Sequence, residues 1–180
     1  MKTTNLCRSM LAVLLFLISC EKGPEPTPLT QEGRNTFSCR VNGKVWIPNG
    51  GGSIFVNIPA ISGGYAYDYT NNKNFGQIRV VAHNDGEDVE IFINTVKTGV
   101  HRLHDNTSYT AYAPANYGFF YSSQKNTYLT SVKNTGTVTI TKSDTVTGII
   151  SGTFEFDAGN ANGGIVKITD GRFDINSKTL

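Results

Sequence analysis

The stretch from Gln77 to Asn94 reads QIRVVAHNDGEDVEIFIN. Apolar and polar residues alternate on either side of Asp85-Gly86, a dipeptide suited to a tight hairpin turn. A two-residue turn there pairs Ile78 with Ile93, Val80 with Ile91 and Ala82 with Val89, and every member of that face is apolar. The other face pairs Arg79 with Phe92, Val81 with Glu90 and His83 with Asp88. A slip by one residue would destroy this sorting, so the register is well specified. The unit is an antiparallel hairpin, and it sets the class of the fold.

Working outward, other segments carry the same period. Upstream, Phe37-Ser38-Cys39-Arg40-Val41, Asn42-Gly43 and Lys44-Val45-Trp46-Ile47 form a second hairpin signal, with Cys39 facing Trp46 and Arg40 facing Val45. Asn49-Gly50-Gly51-Gly52 lacks the Lys-Ser/Thr and helix of a phosphate cradle and reads as a loop. Ser53 to Ile61 reads as one strand with Ile54, Val56 and Ile58 on a shared face, stopped by Pro59. Tyr65, Tyr67 and Tyr69 alternate on one face.

Downstream, Gly99–Leu103 is a short strand candidate, and 104–118 is irregular. Phe119–Ser122 and Thr127–Val132 are weaker strands. Val138 and Ile140 face one way, Lys142–Thr145 turns, and Val146–Phe156 is a long strand. From Ile165 to Ile175 the apolar parity changes, from Val166 and Ile168 to Phe173 and Ile175. Either a bulge at Asp170-Gly171 flips the parity within one strand, or that dipeptide is a tight turn. The long preceding strand wants an equally long partner, which favours the bulge. No stretch carries helical periodicity with caps.

The start of the chain has a different character. Lys2 and Arg8 precede an apolar run from Met10 to Ile18, which is too short to span a bilayer at roughly 20 residues. Ser19 then precedes Cys20, and the whole is signal-peptide anatomy. Glu21 to Gly33 holds Pro24, Pro26 and Pro28, half of the six prolines, and reads as a semi-extended tether at about 3.1 Å per residue. The domains are therefore a signal at 1–19, a cysteine and tether at 20–35, and one β domain at 36–180. Removing Lys2 and Arg8 takes two of the 16 basic residues and leaves them level with the 14 acids. A formally neutral chain gives no argument for nucleic acid as a partner.

Leu17-Ile18-Ser19-Cys20 resembles the lipobox of bacterial lipoproteins. The resemblance implies cleavage before Cys20, a lipid on its sulfur, and a membrane as partner. Two or more acyl chains at about 0.8 kcal/mol per buried methylene would anchor the protein stably. The opening Asn-Gly hairpin, with Ser151-Gly152-Thr153-Phe154-Glu155-Phe156 and Ile168-Thr169-Asp170-Gly171-Arg172-Phe173-Asp174, is similar to a group of uncharacterised all-β lipoproteins of Bacteroidota. That resemblance implies an all-β lipoprotein domain and brings no catalytic residues; the expected location is the outer membrane, on its periplasmic or its outer face.

The three cysteines are Cys7, Cys20 and Cys39. With the first removed and the second lipidated, Cys39 has no disulfide partner and reads as a buried thiol. His101 and His104, three apart on a strand, point to opposite faces, which argues against a metal pair. His83 with Asp88 and Glu90 reads as an exposed cross-strand group. No nucleophile elbow or metal set can be assembled, so no catalytic residue, metal or cofactor is assigned.

The tyrosines remain. Tyr65, Tyr67 and Tyr69 on one face, with Tyr109, Tyr112, Tyr117 and Tyr121 in the irregular middle, form the candidate ligand face, an aromatic platform for glycan or peptide. Tyrosine is also common on half-buried sheet faces. The expectation is an antiparallel all-β fold, a β-sandwich or partly open β-barrel of about eight to ten strands. The expected role is a non-catalytic, lipid-anchored envelope protein that binds or supports a partner, or alternatively a glycan-binding module of an uptake system.

Overall fold

The computed structural model describes residues 24–68, 73–104 and 115–180, with side chains at all of these except 67, 68 and 73–75. Cys20, Tyr69, Tyr109 and Tyr112 lie outside the described residues, as does the side chain of Tyr67. Thirteen strands follow in order: β1 (Thr36–Val41), β2 (Lys44–Trp46), β3 (Gly51–Ser53), β4 (Val56–Ile58), β5 (Ile61–Asp68), β6 (Lys73–Asn84), β7 (Glu87–Ile93), β8 (Gly99–Leu103), β9 (Tyr117–Tyr121), β10 (Thr127–Leu129), β11 (Gly136–Asp144), β12 (Ile149–Gly159) and β13 (Ile165–Asn176). The described residues contain no helix. The strand count exceeds the eight to ten expected because several strands have only three residues, too few to show a period.

Eleven strands form one hydrogen-bonded sheet, which divides at β12. Over Ile149–Phe156, β12 pairs with β11, whereas at its far end Gly159 pairs with Leu129 of β10. One layer is thus β2-β1-β13-β12-β11-β8 and the other is β10-β9-β7-β6-β5. Their inner faces meet in a single core that runs from Phe37, Cys39 and Ile150 to Ile78, Val89 and Ile91. This is the packing of a sandwich whose two sheets stay joined.

The 77–94 hairpin has the expected register at every pair, from Ile78↔Ile93 to His83↔Asp88. Its apolar face is fully buried, and a large aliphatic side chain buried this way contributes about 1.5–3 kcal/mol. The first hairpin also holds: Cys39 faces Trp46, and Asn42 and Gly43 take φ of 50° and 82°. Phe37 packs on Trp46 edge-on at 6.1 Å and on Phe154 at 5.1 Å.

The parity change in β13 is a bulge. Ile168 pairs with Phe156 and Gly171 with Phe154, so Thr169 and Asp170 together oppose Glu155. Asp170 carries the left-handed φ of 51°, a conformation that aspartate tolerates better than most residues. Arg40 Nε donates to its carboxylate at 2.9 Å. The extra residue lets Val166, Ile168, Phe173 and Ile175 all reach the core.

Two expectations need correction. Ser53 to Ile61 is not one strand. β3 and β4 form a separate small hairpin, with Gly51 opposite Ile58 and Ser53 opposite Val56. Gly52 permits the close pairing: its φ is 122°, and any Cβ there would lie 1.9 Å from the Val56 carbonyl oxygen. The turn expected at Lys142–Thr145 lies later, because β11 continues to Asp144. Asp144 accepts from the backbone N–H of Val146 and Thr147, and Gly148 (φ 85°) completes the reversal.

The tether segment also contributes to the fold. Thr27 N–H donates to Ser38 Oγ at 2.9 Å, and Arg172 Nη1 donates to the Thr27 carbonyl at 3.0 Å. Further on, the Thr30 hydroxyl and the N–H groups of Glu32 and Gly33 all donate to the Asp174 carboxylate. Residues 27–33 form a strap that runs antiparallel to β1 across the outer face of its sheet.

Candidate functional site

The hairpin register places three rows across the outer face of β6, β7 and β9. Arg79, Phe92 and Tyr117 form the first, Val81, Glu90 and Phe119 the second, and His83, Asp88 and Tyr121 the third. Arg79 grips Glu90 with two bonds, Nε at 2.7 Å and Nη2 at 2.8 Å. The Tyr117 hydroxyl donates to the same carboxylate at 2.5 Å, and its ring stacks on Phe92 at 5.2 Å. Glu90 is only 7% exposed while Arg79 is 52% exposed. The buried acid is thus satisfied by one half-exposed cation and one phenol. Burial, reinforced by the Glu90 charge, pushes the Tyr117 pKa up, so the phenol remains a donor. The bidentate bond with Glu90 raises the Arg79 pKa. In the third row, His83 Nδ1 lies 2.6 Å from Asp88.

The described tyrosine side chains, Tyr65, Tyr117 and Tyr121, do not make one exposed face. Tyr65 pairs with Ile78 and so packs against the core between the layers, with its hydroxyl 3.0 Å from Ser143 and 3.2 Å from the Ile149 carbonyl. Tyr117 is 2% exposed, and Tyr121 is half-buried beside Asp88. Tyr65 belongs to the inner side of its sheet, and Tyr117 and Tyr121 to the outer side. Period two in the sequence groups tyrosines on one side of a strand, but only the partner strand decides which side that is.

A second surface lies on the outer face of the other layer. A groove of 480 Å³ is lined by Arg102, Thr137, Glu155, Asp157 and Thr169, and an adjoining one of 300 Å³ adds Thr153 and Arg172. Thr137 and Glu155 line both. Arg172 reaches the strap with Nη1, while its buried Nε has no hydrogen-bond partner. The row of hydroxyls with mixed charges offers hydrogen bonds to a polar ligand. Threonine alternation in 137–141 was the only signal of this surface in the sequence, and it shows a solvent-facing row without showing that neighbouring strands extend it.

Other candidates resolve as structural groups. Cys39 is fully buried, which pushes its thiol pKa up, away from reactivity. His101 Nε2 contacts the Lys97 carbonyl at 2.8 Å. Among the described residues, no three His, Cys, Asp or Glu side chains are placed to hold a metal ion.

With this geometry established, comparison with known proteins adds one finding. The family model described as Domain of unknown function (DUF6252) matches residues 65–174, more than half of the chain. The chain belongs to the DUF6252 family. Neither the curated proteins nor the solved structures yield a match. The DUF6252 match begins in β5 and ends on Asp174. It therefore contains the Arg79–Glu90–Tyr117 network and all of the threonine groove, and leaves out the strap, β1, β2 and the β3–β4 hairpin.

Proposed function

We propose that this DUF6252 protein is a lipid-anchored protein of the cell envelope, held by Cys20 to an outer membrane, whose sandwich binds a partner without catalysis. The observation that carries the reading is the strap. The residues that follow the lipobox-like Leu17–Cys20 are bonded to the domain from Thr27 onward, through Ser38, Arg172 and Asp174. A tether bonded in this way holds the domain close to its anchor. Expression of the full chain should give a membrane-associated protein carrying lipid on its N-terminal peptide. The Cys20→Ala chain should leave the membrane fraction, and its continued partition with membranes would sink the reading.

The glycan-binding alternative draws its support from the threonine groove rather than from the tyrosines. Polar hydroxyls beside Arg102 and Glu155 suit a neutral, hydroxyl-rich chain. Retardation on polysaccharide affinity gels should fall when Arg102 and Glu155 are both changed to alanine. Equal retardation of the two proteins would remove the groove from the argument.

A further inference from the structure

The β3–β4 hairpin ends in an apolar tip that nothing in the described chain covers. Ile54 is 91% and Phe55 88% exposed, and Val56 and Ile58 continue the patch. Large apolar side chains clustered at a loop tip mark a contact surface, whereas single exposed ones carry no message.

Position identifies what the tip contacts. Asn49 and Gly50 bond to His83, so the hairpin springs from the end of the sandwich that carries the Asp85–Gly86 turn. That end is shared with the Asn42–Gly43 turn, because Asn42, Glu87, Ser123 and Ile165 line one small cleft. The strap runs antiparallel to β1, from Thr27 beside Ser38 to Gly33 beside Asp174. Followed upstream, it therefore heads toward the same end. Only six residues lie between Cys20 and Thr27, a reach of about 25 Å at full extension. The eleven-residue β12 alone is about 36 Å long. Thr27 lies beside Arg172, which pairs with Thr153 near the middle of that strand, so it is the direction of the strap that turns this end toward the bilayer.

We infer that the Ile54–Phe55–Val56 tip inserts into the interfacial region of the bilayer to which Cys20 is anchored. The tip and the lipid then make a two-point attachment that fixes the orientation of the sandwich. The inference rests on the proposed lipid anchor, and the test separates the two.

The full lipidated chain is placed in phosphatidylethanolamine/phosphatidylglycerol vesicles, with an environment-sensitive dye on Phe55→Cys or, at the opposite end, on Val146→Cys. Cys39 is buried and leaves the new thiol as the labelling site. The expected result is blue-shifted emission at position 55, quenched by nitroxide-bearing lipid, with position 146 (Val146 is 80% exposed) unaffected. If the protein floats with the vesicles but position 55 is not quenched, the insertion is overturned and the anchor stands. Shielding of position 55 that lipid nitroxide does not quench and that deepens with protein concentration identifies a second copy as the occupant, and also overturns the insertion. If the chain does not float, the anchor and the insertion fall together.

Discussion

The Thr30 hydroxyl donates to the Asp174 carboxylate at 2.5 Å, across 144 residues of chain. Ser151 donates to the other oxygen of the same group at 2.7 Å, and the backbone N–H groups of Glu32, Gly33 and Arg34 complete its shell. One side chain, 1% exposed, thereby joins the strap to β12 and β13.

Asp174→Asn should release the strap. The amide keeps the size but loses the charge that strengthens each bond, and turns a donor toward groups that also donate. A loss of about 1.5–3 kcal/mol is expected in denaturant unfolding, from the charged hydrogen bonds given up. Hydrogen exchange of residues 27–34 should quicken while that of β6 and β7 stays slow.

Acid should act through the same residue. Burial pushes the Asp174 carboxyl up, but the bonds from Thr30, Ser151, Gly33 and Glu32 together outweigh it and bring its pKa below the usual 3.8. Folding therefore favours the ionised form. The stabilisation is complete above the unfolded value and disappears as pH falls through the lower folded value. Melting temperature should drop below about pH 4 in the natural chain, and this acid limb should flatten in Asp174→Asn. Parallel acid limbs in the two proteins would contradict the assignment.

Glu90, Arg79 and Tyr117 should behave as one unit. Tyr117→Phe removes one donor and should cost about 1–2 kcal/mol. Glu90→Gln weakens both contacts of the carboxylate, so the double variant should lose clearly less than the sum of the single ones. A double-mutant cycle by urea unfolding measures the difference, and strict additivity would show that the network carries no coupling.

Deletion of Asp170 tests the bulge. Without the extra residue, Phe173 and Ile175 would turn to the outer face, or Val166 and Ile168 would. Either outcome removes two large side chains from the core, about 3–6 kcal/mol of burial. The shortened chain should fail to give a cooperative thermal transition, whereas replacing Asp170 by glycine, which accepts positive φ, should leave it folded.

Legibility in the sequence followed locality. The Ile78–Ile93 and Cys39–Trp46 registers could be read because each strand meets its partner across a two-residue turn. The bulge could be read because Ile168 and Phe173 disagree in parity. Alternation misled at Ile54, Val56 and Ile58, where an apolar period marks an exposed hairpin and not a buried strand. The glycines ahead of it held the stronger message. The side of the sheet occupied by Tyr65, the threonine groove and the strap's hold on Asp174 all depend on contacts between distant segments, which no local period records.

The pairing of β1 with β13 has a consequence in time. β1 has only the three residues of β2 and the far end of the chain as neighbours in its sheet. A chain emerging from its N-terminus can form the β6–β7 hairpin early, but β1 and the strap must wait until Asp174 has been made. Closing so long a loop is slow and comes late. On the proposed reading, that delay keeps the chain loose enough to be threaded through a membrane, and the last strand acts as the latch that closes the domain after passage.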